Sequence, residues 1–413
     1  MRARAAIVVS VVAAASCPAT VLAAAGGLDP SFSGNGKVVT GFPELASTEW
    51  LASGIDVAVS DDRRIAVLAG LSNITDGGAF GVVRYLPDGS LDRSFHGDGR
   101  RLFFGGVNFT ELAVREDGRI VLLGWEAGTM VLAGLDTDGS FDRSFGHDGI
   151  RQVSFGAPVE GGSIGLLDDG RIVAAAGSRE GFAVARFEPD GSLDDTFDGN
   201  GKTLLRIDGA TAVSGLAVAP DGGVVVAGGV GRTYSLRRVA VARFRSDGSP
   251  EGSFRGGVVT PWLWEGRERA RDVALQPDDR VIVVVTGDAH GFAGIRFDAD
   301  GSLDRSFGRE GRRVVRFGAD GESGHGIALQ PDGRIIAVGN VQSDWTHDFA
   351  AVRLTSKGRY DSTFGDRGRV VTSIRDGSSA EAVALQGDGK VVATGHASWS
   401  EFQKVAVVRY LAS

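Results

Sequence analysis

One stretch restricts this chain more than any other. FDADGSLDRSFGREGRRVVRF, Phe297 to Phe317, has relatives all along the sequence. Its L-D-x-S/T-F core and variants put Phe at 32, 95, 145, 197, 254, 307 and 364, with gaps of 63, 50, 52, 57, 53 and 57 residues. A second marker, an Asp-rich turn followed in most copies by Arg or Lys, places its aliphatic residue at Ile65, Ile120, Ile172, Val224, Val281, Ile335 and Val391. A third is FAVARF at Phe182 to Phe187, which returns as FGVVRY, RVAVARF, FAGIRF, FAAVRL and KVAVVRY. The second copy reads MVLAGL, with Leu135 where Arg is expected. Self-similarity at such a period is the signature of a repeat architecture.

Each period carries four strand signals. GHGIALQ alternates apolar residues, PDG turns the chain into RIIAVGN as a hairpin, and a variable loop leads to FAAVRL. The long Asp-rich loop then leads to GRVVTS. A four-stranded sheet that is apolar on both faces needs cover on both. Seven of them stacked around an axis supply that cover, so the expectation is an all-β, seven-bladed β-propeller of four-stranded antiparallel blades. Near-continuous apolar strands suit sheets sandwiched between neighbours. The parallel β-helix, the competing repeat fold, uses far shorter turns than these periods allow. The sequence opens on GLDPSFSGNGKVVTGF, the back end of a repeat, and closes on VVRYLAS, just before that segment is due. This predicts that the N-terminal strand, Lys37 to Thr40, closes the last blade, whose other three strands come from about Glu381 to Leu411.

Residues 1–25 have the layout of a secretory signal peptide: Arg2 and Arg4, an apolar run from Ala5 to Ala15, and small residues at Ala23 and Ala25. Residues 26–413 are then a single propeller in an exported protein, periplasmic, surface-bound or released. Lipidation at Cys17 is the alternative, but Ala14 stands where an aliphatic residue is wanted. Cys17 is the only cysteine, so the mature chain has no disulfide, catalytic thiol or Cys-ligated zinc. With 44 basic against 52 acidic residues the formal charge is −8. Nucleic acid is not an expected partner, since no basic run stands out. No membrane span is expected, and the chain reads as a monomer.

The markers DGrIvvaG and faVaRy-pDGSLDxSFGxdG resemble the delta-60 repeat family of bacterial, often exported, proteins. The resemblance covers Leu28 to Leu411. It implies a β-propeller and carries no catalytic residue set. The S-P-E-G-S-F variant at Ser249 to Phe254 and the altered turns at Asp61-Asp62 and Asp278-Asp279 depart from the pattern.

Asp298, Asp300 and Asp304 have the spacing of a calcium loop, as do Asp136, Asp138 and Asp142. Other repeats lose the first acid, and none has the late bidentate Glu, so the favoured reading is architectural and no cofactor is expected. Asp-Gly makes the turn, the next Asp caps loop amides, and Phe fills the space beneath. The strand arginines Arg84, Arg186, Arg243, Arg296, Arg353 and Arg409 need anionic partners where neighbouring blades cover them. The acids that follow, Asp92, Asp194, Glu251, Asp304 and Asp361, are the candidates, with Asp29 for Arg409 across the seam. The second repeat keeps Asp142 without such an arginine.

Loops between second and third strands, and between blades, should share one face. That rule places Trp50, Trp125, Trp262, Trp264, Trp345, Trp399, Tyr234, His290, His325, His347 and His396 together on the variable face. Exposed aromatics of this kind serve recognition. The leading expectation is a non-enzymatic binding or scaffold module for a protein, peptide or glycan, seated on Trp50, Trp262, Trp264, Trp345, Trp399, Tyr234, His325 and His347. The alternative is a lyase or hydrolase at the central channel mouth, against which no Ser/His/Asp spacing appears in the sequence.

Overall fold

A computed structural model describes residues 24–45, 50–72, 78–231, 238–264, 268–287, 291–318, 321–343, 346–399 and 402–412. Residues 1–23 of the expected signal peptide, and Tyr234, His290 and Trp345, lie outside them. The described chain is all-β apart from two single-turn 3-10 segments. A representative unit pairs Glu322–Leu329, Ile335–Ser343, Thr346–Leu354 and Arg369–Thr372 in chain order as one antiparallel sheet. Five such four-stranded sheets stand alone. An eight-stranded sheet holds two more groups of four, joined by a single parallel bridge between Leu51 and Gln403.

That sheet contains the seam. Lys37–Thr40 lies antiparallel to Phe402–Tyr410, with Lys37 opposite Val408 and Thr40 opposite Val405. Ser378–Leu385 and Val391–Trp399 complete its group. The first strands of successive groups are Leu51–Val59, Asn108–Val114, Val159–Leu166, Ala210–Val218, Arg269–Leu275, Glu322–Leu329 and Ser378–Leu385. Each packs on the next, and the last packs on the first, so they encircle an axis. Between sheets the core is Val, Ala, Leu and Ile. Every position of Gly181–Phe187 is buried, which explains the lack of polar alternation in its sequence.

The repeated loop locks each unit to its neighbours. Arg186 Nε lies 2.6 Å from Asp194 Oδ2, with both side chains 2% exposed. The same contact joins Arg84 to Asp92 at 2.8 Å, Arg296 to Asp304 at 2.7 Å, and Arg353 to Asp361 at 2.8 Å. At the seam Arg409 and Asp29 stand 2.8 Å apart, 380 residues from one another in sequence. A second cation, from the basic residue after the Asp-Gly turn, reaches the same carboxylate: Arg171 at 2.8 Å on Asp194, Arg334 at 2.8 Å on Asp361, Lys390 at 3.1 Å on Asp29. Arg84, Arg186, Arg296 and Arg353 also lie over the Phe of their own loops, as Arg409 does 4.6 Å above Phe32.

The free guanidinium nitrogens cross to the next unit. Arg353 Nη1 donates to Ala412 O at 2.6 Å, and Arg186, Arg296 and Arg409 donate to Ser246, Ser356 and Pro87 carbonyls. The plugging Phe crosses as well. A Cβ on Gly89, which has φ +87°, would stand 2.9 Å from the Phe32 ring. Glycine there serves both the turn and the close approach.

Two pairings differ from the sequence reading. Arg243 does not meet Glu251; its Nη2 lies 2.8 Å from Asp279 Oδ1, while Glu251 pairs with Arg245 at 3.2 Å. The cause is local: this unit has Gly223 where the others carry the second cation, and Glu replaces Asp. Asp142 is not left without an arginine either, because Arg119 Nη1 comes within 3.4 Å of it.

The calcium candidates are held by protein donors. Asp298 meets Arg280 at 3.0 Å, Asp300 accepts the Ser302 amide at 2.7 Å, and Asp304 accepts the Ser306 amide and hydroxyl. Asp136 meets Arg119 at 3.2 Å, while Asp138 and Asp142 accept Ser140 and Ser144.

Removing one member of a buried pair leaves the other charge uncompensated. Asp29→Ala is therefore expected to destabilise the fold by about 3 kcal/mol, read as a lower midpoint temperature. Glu251→Ala, at an exposed pair, should change it little. Burial raises the Asp29 pKa, but the Ser31 hydroxyl and amide, Lys390 and Arg409 outweigh this and hold it at about 2. Its contribution is complete above the usual carboxylate range and disappears as pH falls toward 2. An Asp29→Ala protein that melts with wild type at neutral pH would refute the seam role.

Candidate functional site at the axis

Every first strand carries an irregularity in its pairing, and this sets the site. The extra residues are Ile55, Thr110, the pair Gly161-Gly162, Ser214, Arg271, His325 and Glu381. A bulge leaves its extra residue unpaired and re-aims the side chain. Three consecutive first strands thus present Arg, His and Glu from one structural position. Elsewhere that position is apolar, small or hydroxylated.

These side chains form one network. His325 Nδ1 lies 3.1 Å from Glu381 Oε2 and 2.7 Å from Ala380 O, and its Nε2 lies 2.9 Å from Ser323 Oγ. The Ser379 hydroxyl donates to Glu381 Oε1 at 2.9 Å, and Asn340 Nδ2 donates to Ser379 Oγ at 3.1 Å. Burial pushes the Glu381 carboxyl up, yet the His325 contact, the Ser379 hydroxyl and Arg271 bring it below its usual value. His396, on Val391–Trp399, is lowered by burial; Glu381 opposes this, and the nearby His347 and His325 reinforce it. Arg271 is likewise lowered by burial against the pull of Glu381. Arg271 and Glu381 belong to sheets that are not neighbours. They interact because both face the axis.

A second layer follows one residue later. Asp56 Oδ2 accepts the Leu112 amide at 2.8 Å, Glu111 Oε2 accepts the Ile164 amide at 2.9 Å and the Ser163 hydroxyl at 2.8 Å, and Asp272 Oδ2 accepts the Ile327 amide at 2.8 Å. Each carboxylate ties its first strand to the next one. Burial raises all three, with Asp56 at about 6 and Asp272 at about 7 despite the amides they accept. The charge of Asp56 adds to the rise at both Glu111 and Asp272.

The structure does not gather Trp50, Trp262 and Trp264 with the histidines. Trp262, 73% exposed, stands under Arg238 at 5.6 Å and lines a cleft with Gly301 and Leu303 of the following unit's Asp-rich loop. Trp264 lies beside Gly308 to Glu310 with Arg312 at 5.4 Å from its ring. Both therefore lie beside the following unit's Asp-rich loop rather than with the second-to-third-strand loops, after the two-residue pairing at Val258–Val259. Trp50 lines a separate cleft at the seam with Phe42, Pro43, Leu45 and Phe402. Trp125 and Trp399 sit within strands, Ile120–Glu126 and Val391–Trp399, rather than in loops. His325 and His347 are on strands too, Glu322–Leu329 and Thr346–Leu354. Sequence reading missed Arg271, Glu381 and the Asp56, Glu111 and Asp272 layer. The available signal was an ionisable residue three or four places before the end of a first strand.

Four segments, 61–95, 167–197, 219–254 and 330–364, match the family model described as "Domain of unknown function (DUF5122) beta-propeller". The matches support a β-propeller repeat family. No curated protein matches the sequence. Among solved structures, an ulvan lyase of polysaccharide lyase family PL25 aligns with a TM-score of 0.52 at 9% identity, over 88% of this chain and 94% of that one. Sqt1 from Chaetomium thermophilum aligns at 0.50 with 12% identity, over 89% and 99%. At such identities the likeness is one of fold.

The axial carboxyls generate a pH dependence of definite sign. Their folded pKa values lie above the unfolded value, so they stabilise most below pH 4 and lose that contribution as pH rises through 6 and 7. Each contributes a slope of at most about 1.4 kcal/mol per pH unit, and less because these side chains are only partly buried. The midpoint temperature of Asp272→Asn should therefore fall less than that of wild type between pH 5 and 8. Parallel curves would exclude the assignment.

Proposed function

We propose that this chain is an exported, monomeric seven-bladed propeller of the delta-60 type, and that its role is recognition at the axis rather than on the tryptophans. The ligand is a protein, peptide or glycan that presents a carboxylate to Arg271. The observation that carries this reading is the placement of Arg271, His325 and Glu381 at one bulge position of three consecutive first strands. A scaffold built by repetition gains one asymmetric cluster there, and recognition needs asymmetry. Glu381 is already engaged by His325 and Ser379. Arg271 spends none of its N–H groups on hydrogen bonds within the described residues, which leaves a fork-shaped donor for a planar anion.

Ala25 is 7% exposed, and its carbonyl accepts the Gly365 amide at 2.9 Å. A signal peptide cut after Ala23 retains this contact, whereas one cut after Ala25 removes it. No helix among the described residues is long and apolar enough to cross a membrane.

Titration calorimetry with oligogalacturonates, alginate oligomers and a poly-glutamate peptide tests the proposal. At least one class should bind, and Arg271→Ala should weaken it by roughly tenfold or more, since hydrogen bonds to charged groups contribute about 1.5–3 kcal/mol. Trp262→Ala should leave it unchanged. Binding that depends on Trp262 and ignores Arg271 would move the site to the outer flank and end the axial reading.

A further inference from the structure

We propose that Ser323 is a nucleophile for acyl transfer, activated by His325 and oriented through Glu381. The inference goes beyond recognition but uses the same axial seat. Ser323 Oγ lies 2.9 Å from His325 Nε2, within reach for proton transfer, and the opposite ring nitrogen lies 3.1 Å from Glu381 Oε2. This is the nucleophile, base and orienting-acid arrangement that recurs on unrelated folds in different chain orders.

The surroundings fix the roles. The Ala380 carbonyl, 2.7 Å from Nδ1, accepts only, so an Nδ1 proton stays there and Nε2 is the nitrogen that can take the Ser323 proton. Ser379 holds the second Glu381 oxygen, and Asn340 holds Ser379, which keeps the carboxylate from turning away. Thr286 Oγ1 stands 2.9 Å from Ser323 Oγ and also bonds the Gly291 carbonyl, which positions the nucleophile from its other side. Ser323 is half-buried, His325 is 9% exposed, and Arg271 shares the axial space.

The chemistry balances without a cofactor. Ser323 Oγ attacks the carbonyl carbon of a carboxylic ester, and its proton passes to His325 Nε2. The new Oγ–C bond forms, the carbonyl oxygen becomes an oxyanion beside the Arg271 guanidinium, and the ester C–O bond breaks. The proton on Nε2 leaves with the departing alcohol. Water, deprotonated by the same nitrogen, then releases the acid and restores the hydroxyl. The substrate class is an ester with a small acyl group, because the seat lies among first strands packed around the axis.

A fluorophosphonate probe and p-nitrophenyl acetate test this on the folded, full-length mature protein. The expected result is one covalent adduct, located on Ser323 by peptide mass spectrometry, together with slow ester hydrolysis. Ser323→Ala should abolish both. His325→Gln should lower labelling roughly 100-fold, as loss of a general base does. Glu381→Gln should lower it less, and Trp262→Ala should not change it. Circular dichroism confirms that each variant is folded, and Ser323→Thr provides a second variant of near-native packing whose labelling should fall but stay on residue 323. No adduct on the folded wild type, or an adduct that survives Ser323→Ala, overturns the proposal. Absent labelling with intact Arg271-dependent binding of oligogalacturonate would sink the nucleophile alone. Labelling without any such binding would sink the recognition reading alone.

Discussion

The structure depends on a buried charge that cannot be left alone. Each third strand is covered on both faces by neighbouring sheets, yet most carry an arginine. Taking that guanidinium out of water is costly unless its donors are filled. The Asp of the following loop takes one nitrogen, a Ser or Thr hydroxyl takes another, and the next unit's backbone carbonyl takes a third. The Phe of the same loop lies under the guanidinium plane. One interaction therefore folds the long loop back on its own strand and joins it to its neighbour. Repeated around the axis, it makes each unit's loop conformation conditional on the adjacent unit. The seam contact between Arg409 and Asp29 extends that condition to the two ends of the polypeptide.

The same repetition explains why function falls where it does. Clamps, turns and plugging rings recur with the period, so they carry no information that distinguishes one direction from another. The bulge of each first strand is the exception. It recurs in the backbone of every first strand and varies in its side chain, since its residue is left out of the strand pairing. Chemistry accumulates at such a position without disturbing the scaffold. Arg271, His325 and Glu381 occupy three of these sites, and the acids one residue later tie adjacent first strands through the Leu112, Ile164 and Ile327 amides. Elevated carboxyl pKa values in this inner layer are the counterpart of the depressed ones in the loops. Loop acids meet serine or threonine donors and, at the clamps, arginines, whereas the acids of this inner layer meet backbone amides.

The fourth unit shows how tightly the clamp is specified. Gly223 removes the second cation and Glu251 lengthens the acid, and with those two changes Arg243 turns to Asp279 of the next unit. Glu251 is left to Arg245 at the surface. A sequence pattern that tolerates Glu for Asp misreads this unit, because one extra methylene changes which arginine the carboxylate reaches.

Much of the architecture was legible in the linear sequence. Strand order within a unit, the antiparallel pairing, the partner of Lys37–Thr40 and the Arg–Asp contacts of most units all follow from local turn chemistry and a fixed period. They are short-range, or they recur, and recurrence turns a weak local signal into a firm one. The candidate site was legible only through His325, one of the variable-face histidines, and the rest of it was not, for the opposite reason. Ser323, His325 and Glu381 are unremarkable residues in three separate positions, and no spacing relates Glu381 to a serine 58 residues earlier. Their meeting is set by the radius at which first strands pack and by bulges that turn their side chains toward the axis. The dispersal of Trp50, Trp262 and Trp264 has the same origin. Loop membership is written in the sequence, but the course of a loop along the flank of its sheet is decided by what it packs against. The sequence determined the repeating unit and how its ends meet; the tertiary structure alone decided which unlike residues share the axis, because only non-repeating side chains on a repeating frame can make a single site.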